Sequence, residues 1–185
     1  MSTVIAFDPS LTATGYAVIV AGKVVEHGAI TLDDGADLPE RLIELARDVR
    51  GIVGGQVEPY PDAIVVERPE SKHRGGGSWA NISPFTLTKY GAAFGTVLTA
   101  AAEMMPKSAV LLTPTPSEWV GRGRIPSSAN DPGKSRRVAF VEATVPEVRG
   151  AMGPKTRAGD VADAILLGLW GRTAAPLAIA RRKGA

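Results

Sequence analysis

The chain has 185 residues, 44% of them hydrophobic and 22% charged, a size and balance that suit one folded domain and exclude a disordered chain. It has no cysteine and only His27 and His73, which excludes disulfides, thiol catalysis and a structural zinc site and leaves oxygen donors for any metal. The formal net charge is +2, but the first 60 residues carry four basic and nine acidic groups and the rest 17 and 10, so the basic groups gather in the later two thirds. That asymmetry suits a polyanion partner, although a solvated basic face has the same composition. No basic residue precedes Lys23 to form the charged start of a signal peptide. The longest apolar helical stretch, Lys89 to Glu103, is too short for a membrane span, and a cytoplasmic location is expected.

In chain order, Thr3 to Asp8 is a short apolar run ending in an acid, and Pro9 to Gly15 reads as a turn. Tyr16 to Val20 and Lys23 to Thr31 continue as two extended segments around Ala21-Gly22, which predicts an antiparallel meander. Leu42, Ile43, Leu45, Ala46, Val49, Ile52 and Val53 fit a helical period, with Pro39 near the start and Gly54-Gly55 at the end, so an amphipathic helix is expected from Leu38 to about Val53. Asp62 to Glu67 resembles a buried strand that again ends in a carboxylate. Pro84 to Met105 repeats Leu87, Tyr90, Phe94, Leu98 and Ala101 at helical spacing, with Gly91 and Gly95 giving a small-residue face. Ser108 to Thr113 is a further strand, and Gly133 to Val145 and Asp160 to about Gly171 are the last helices. Residues 1–175 are expected to form one domain and 176–185 a basic tail, frayed at Arg181 to Lys183. The two long linkers, Arg68 to Pro84 and Pro114 to Gly133, are both basic and rich in glycine or proline, a composition found in functional or disordered loops.

The predicted order, three strands, a helix, a strand and then further α/β units, resembles the ribonuclease H-like fold: an α/β, five-stranded mixed sheet with helices on both faces. In that layout the first and fourth strands are parallel neighbours, so Asp8 and Glu67 share the rim where open α/β sheets place ligands. Asp160 and Asp163, at i and i+3, share one face of the opening turn of the last helix. Four acids are thereby expected in one pocket. Each also has an ordinary reading: Asp8 as a turn residue, Glu67 paired with Arg68, Asp160 as an N-cap, and Asp163 as a partner of the helix dipole. Their joint placement at two strand ends and one helix start is more specific than any one of them. A carboxylate cluster without thiols suits Mg²⁺ or Mn²⁺, and mutual repulsion without metal is expected to raise at least one carboxyl pKa and weaken metal binding at low pH.

Ile5-Ala-Phe-Asp8-Pro-Ser-Leu-Thr-Ala-Thr-Gly15-Tyr resembles the opening of the RuvC-type Holliday junction resolvases, particularly the phage-encoded ones. Ile64-Val-Val-Glu67 and Asp160-Val-Ala-Asp163-Ala resemble their other acidic motifs. Ser10 stands where bacterial members usually carry glycine, and the segment after Glu67 differs from theirs. The resemblance, which spans Val4 to about Gly171, implies two-metal hydrolysis of branched DNA giving 5′-phosphate and 3′-hydroxyl ends. It assigns Asp8, Glu67, Asp160 and Asp163 to two Mg²⁺ ions, with Mn²⁺ as a possible substitute, and puts Asp8 between them. Gly133-Lys134-Ser-Arg-Arg137 is similar to the family segment in which a lysine meets the DNA backbone near the scissile phosphate, a role carried onto Lys134 as a catalytic residue. Phosphate neutralisation is expected from Lys72, Arg74, Arg122, Arg124, Lys134, Arg136, Arg137, Lys155 and Arg157, with Trp79 stacking on a base or resting on the core edge. Paired nicks in a two-fold junction need two sites, hence a homodimer, with the helix from Pro84 to Met105 as the expected contact through Gly91, Ala92 and Gly95. No membrane partner is expected. Three other readings remain open: a ribonuclease H-like enzyme of hybrids or of branched DNA in general, a branched-DNA-binding module without catalysis, and a nucleotide-binding protein of the actin and sugar-kinase superfamily, which needs two such domains.

Overall fold

The computed structural model of the protein describes residues 2–55, 60–69, 83–120 and 134–184. Strands β1 (Thr3–Asp8), β2 (Ala13–Val20) and β3 (Lys23–Thr31) form the antiparallel meander. Ala21 and Gly22 both have positive φ, 52° and 86°, as a tight two-residue hairpin requires. Strand β2 begins at Ala13, ahead of the expected Tyr16. The Thr14 hydroxyl donates to the Ser10 carbonyl at 2.6 Å and accepts from the Ser10 N–H at 3.0 Å, which closes the turn early. Strand β4 (Ala63–Val66) pairs in parallel with β1, and β5 (Val110–Leu112) in parallel with β4, giving the order β3-β2-β1-β4-β5. This mixed five-stranded α/β sheet is the ribonuclease H-like arrangement expected from the element order.

Alternation along the central strands divides the core in two, as sheets covered on both faces require. Val4, Ala6, Ala17, Ile19 and Val65 face α5 (Lys155–Lys183), where Val161, Ala162 and Ile165 meet them. Ile5, Phe7, Val18, Ile64 and Val66 face α1 (Leu38–Gly54) and α2 (Pro84–Met104) on the other side. Asp37 and Ser83 cap these two helices by accepting the N–H groups of Glu40 and Thr86 at 2.9 and 3.1 Å. The remaining helices are α3 (Pro116–Val120) and α4 (Ser135–Thr144), followed by a 3₁₀ turn at Pro146–Val148. Among the described residues no helix is long and apolar enough to cross a membrane.

Two helices depart from expectation, α2 in its buried face and α5 at both ends. On α2 the buried residues are the small ones, Ala93, Val97, Ala100 and Ala101, whereas Leu87 and Tyr90 of the expected stripe are exposed. The small side chains let α2 lie close on the sheet and against α1, Phe94 and Leu98 pack partly buried at the edge of that core, and Leu87 and Tyr90 are turned outward. Helix α5 starts at Lys155 rather than near Asp160, because extended Pro154 begins the helix and its carbonyl accepts the Arg157 and Ala158 N–H groups. Asp160 is therefore not an N-cap, and Asp163 lies beyond the first turn. At its far end α5 continues through Pro176 to Lys183 instead of fraying. Ala175 and Ile179 pack on the core, and Arg182 Nη1 donates to the Ala109 carbonyl at 2.8 Å.

Candidate active site

Parallel pairing of β1 and β4 sets Asp8 and Glu67 on one rim. Asp8 ends β1, and Glu67 follows β4 with its N–H donating to the Phe7 carbonyl at 3.0 Å. Helix α5 brings the other two acids over the same rim, and Gly15 allows it to do so. Gly15 lies opposite Asp8 in the β1/β2 ladder, and a Cβ there would stand 2.1 Å from the carbonyl oxygen of Asp160. Only a residue without a side chain permits that approach.

Three of the four acids converge on one cation, the Lys134 ammonium. Its Nζ lies 2.6 Å from Asp163 Oδ2, 2.8 Å from Asp160 Oδ1 and 3.3 Å from Asp8 Oδ2. Lys134 precedes α4 in a left-handed conformation, φ 51°, which sends the chain into the helix. Glu67 makes no contact with this ammonium. Its Oε2 accepts a 2.6 Å hydrogen bond from the indole N–H of Trp119 on α3. Arg68, the partner it was offered by sequence, instead meets Glu118 at 3.7 Å. Arg137, one turn after Lys134 on α4, is buried, pairs through Nη1 with Asp163 Oδ1, and stacks over the Trp119 ring at 5.2 Å.

Crowding of these charges out of water displaces their ionisation. Burial, with the charges of Asp163 and Asp160, pushes the Asp8 carboxyl up to about 6 against the opposing pull of Lys134. Burial, then Asp8 and Asp163, pushes Glu67 up to about 9, although the Trp119 bond pulls the other way. Burial would lower the Lys134 ammonium, but Asp8, Asp163 and Asp160 together hold it well above the ordinary lysine value.

The site fits a hard cation in its donor chemistry, since three carboxylates already surround one positive centre. Among the described residues no three acidic or imidazole side chains are grouped so as to hold a metal, and the Lys134 ammonium stands where Asp8, Asp160 and Asp163 meet. Of the residues expected on DNA, Arg136, Lys155 and Arg157 are exposed on α4 and the first turn of α5. Arg137 is a correction to the expected surface contact: its guanidinium is enclosed and committed to Asp163. Lys72, Arg74, Trp79, Arg122 and Arg124 lie outside the described residues.

Sequence reasoning missed Trp119. Its signal was Thr115-Pro116-Ser117-Glu118, a capping box with proline at the first helical position. Glu118 Oε2 accepts the Thr115 N–H at 2.7 Å, which fixes the short helix that carries the indole.

The same architecture occurs in RuvC of Thermus thermophilus. The structure of that protein in complex with a Holliday junction substrate is similar over 96% of this chain and 97% of that one, at 19% identity and a TM-score of 0.62. The chain has the fold of RuvC. A second T. thermophilus RuvC structure matches with the same coverage and TM-score at 20% identity. No protein-family profile and no curated protein matches the sequence.

Proposed function

We propose that this protein is a RuvC-type, structure-selective endonuclease that resolves four-way and other branched DNA by hydrolysing phosphodiesters, with Mg²⁺ as its cofactor and Mn²⁺ as a possible substitute. The observation that carries this reading is the convergence of Asp8, Asp160 and Asp163 on one cationic centre at the sheet rim of a RuvC-like fold. The crystallised RuvC with a Holliday junction substrate supports branched DNA as the ligand. Two divalent ions, when bound, supply an activated water and neutralise charge on the leaving 3′ oxygen.

The chain's own groups do the rest. Asp8, Glu67, Asp160 and Asp163 would hold the ions, with Asp8 central in the sheet between Glu67 and the two acids of α5. Ionised oxygens on these residues would be the ligands, so protons would compete for the site at low pH. Lys134, whose ammonium stands among three of these acids, would meet a backbone phosphate when DNA is bound. Arg136, Lys155 and Arg157 flank the acids and draw the DNA in, so binding weakens steeply with salt.

Two matching nicks require two sites, and a homodimer provides them. The surface of α2 supports this arrangement. Phe85, Leu87 and Tyr90 are exposed, and Gly91, Ala92 and Gly95 line a groove of about 520 Å³ against Leu42, Ile43 and Ala46 of α1. Among the described residues a Cβ on Gly91 or Gly95 would meet nothing within 4 Å, which leaves room on this face for a partner helix.

The test is incubation of the purified protein with a labelled four-way junction and a matched linear duplex, with and without Mg²⁺, alongside Glu67→Gln. Paired, metal-dependent nicks on the junction, lost in the variant, are expected. Cleavage of both DNAs would make it a general nuclease, and tight binding without a nick a non-catalytic module.

A further inference from the structure

Two of the acids share a feature that their positions alone do not require: each has one oxygen tied to a buried donor and one left over. Glu67 gives Oε2 to the Trp119 indole and keeps Oε1. Asp163 gives Oδ1 to Arg137 and turns Oδ2 toward the point occupied by the Lys134 ammonium. The two donors are themselves joined, since the Arg137 guanidinium lies on the Trp119 ring. An indole N–H is donor-only and a guanidinium cannot deprotonate, so neither can exchange roles with its acid as the site titrates.

We infer that Trp119 and Arg137 form a fixed brace between Glu67 and Asp163, positioning residues that set how far apart the two acids stand and which oxygen of each faces the metal. The inference rests on the nuclease reading and adds to it the residues that aim the ligands. Both ends of the brace are anchored. Trp119 is 3% exposed, on a helix pinned by the Thr115–Glu118 capping box, and that segment is tied to the exit of β4 where the Arg68 N–H donates to the Pro114 carbonyl at 2.9 Å. Arg137 is 6% exposed, with its N–H on the Lys134 carbonyl at 2.9 Å, so both cations of the site stand at the start of the same helix. When Lys134 leaves for DNA, Arg137 remains, and Asp163 is never buried without a counter-charge.

Outer partners of this kind set metal affinity by orienting ligands they do not replace. Trp119→Phe keeps a ring beneath Arg137 and deletes the donor alone. Calorimetric Mn²⁺ titration of this variant is expected to show affinity weakened about 10- to 100-fold. Its Mg²⁺ midpoint for junction cleavage should rise by the same factor, with kcat recovered at saturating metal. A merely structural role would lower the yield of active protein without moving the midpoint.

Wild-type Mn²⁺ affinity in Trp119→Phe, with binding weakened in Glu67→Gln, overturns the brace and leaves the nuclease reading standing. Equal binding by the wild type and Glu67→Gln removes Glu67 from the metal site and overturns both. If Trp119→Phe does not fold, the Trp79→Phe/Trp170→Phe chain, whose remaining indole is Trp119, decides the matter. Its indole N–H resonance should shift on Mg²⁺ addition and stay still when Glu67→Gln is added to the same chain. A resonance indifferent to Mg²⁺ overturns the brace.

Discussion

Lys134 Nζ lies 2.6 Å from Asp163 Oδ2, closer than to either of the other two carboxylates it joins. An ammonium and a divalent ion cannot share that point, so on the proposed nuclease reading Lys134 and metal would compete for it. Lys134→Met, close in size and uncharged, should bind Mn²⁺ several-fold more tightly in calorimetry. Without metal it should lose on the order of 2 kcal/mol of stability, the worth of charge-assisted hydrogen bonds left unmade. Junction cleavage should fall even with metal saturated, because the released ammonium is then missing from the phosphate. Unchanged or weaker Mn²⁺ binding would show that the lysine does not occupy the metal's place.

The raised carboxyl pKa values make stability depend on pH with a definite sign. Burial above all raises Glu67 from 4.5 to about 9 and Asp8 from 3.8 to about 6. Between each pair of values the folded chain retains a proton that the unfolded chain has released, so stability declines as pH rises across the window. Thermal melts in chelator, from about pH 5 to about pH 9, should show the wild type losing ground to Glu67→Gln as pH increases. His27, whose pKa burial lowers, tilts stability the other way below its ordinary 6.5, but equally in both proteins, so it cancels in the difference. Mn²⁺ affinity should rise over the same range, since the metal needs the ionised carboxylates. Parallel melting curves, or metal affinity independent of pH, would remove the crowded-acid account.

What was legible in the sequence is what strand periodicity and local chemistry encode. The strands follow from apolar runs, two of which end in an acid, and the sheet order, with the shared rim of Asp8 and Glu67, from the likeness of the element order to the ribonuclease H-like fold. The starts of α1 and α2 follow from Pro39 and Pro84, whereas their caps Asp37 and Ser83 are supplied by the structure. What was not legible depends on partners distant along the chain. Arg137 reads as one more surface cation beside Arg136 until α5 presents Asp163, 26 residues later, to its guanidinium. Trp119 meets Glu67 across 52 residues, and no local pattern announces that bond. The outward turn of Leu87 and Tyr90 escaped periodicity because both faces of α2 are apolar, so spacing alone does not say which face the core takes.

Gly15 is the point at which strand and helix meet most closely, and it can be tested alone. In Gly15→Ala the new methyl would stand 2.1 Å from the Asp160 carbonyl oxygen, a backbone atom that yields only if α5 moves. The variant should fold with a loss of about 1–3 kcal/mol, typical of overpacking. Because Asp160 and Asp163 move with α5 while Asp8 stays on β1, Mn²⁺ affinity and cleavage should fall by more than the stability loss explains. Chemical denaturation and calorimetry measure the two separately. A variant with lowered stability but wild-type Mn²⁺ binding would mean that the acids tolerate the displacement.

Gly91 offers a test of the dimer that leaves the protomer intact. The residue is inside α2, where glycine costs a helix about 1 kcal/mol relative to alanine, and no atom of the described residues lies within 4 Å of a Cβ built there. Gly91→Leu should therefore raise or preserve the stability of an isolated protomer. In a dimer packed through this face, the same side chain fills the space a partner helix needs. Light scattering should then report a dimer for the wild type and a monomer for the variant at the same concentration. The variant should still bind Mn²⁺, whose proposed ligands stand at the ends of β1 and β4 and on α5, away from this face, while paired nicking of a four-way junction gives way to slow single nicks. A variant that remains dimeric would move the interface away from α2, and a monomeric wild type, with and without junction DNA, would remove the dimer.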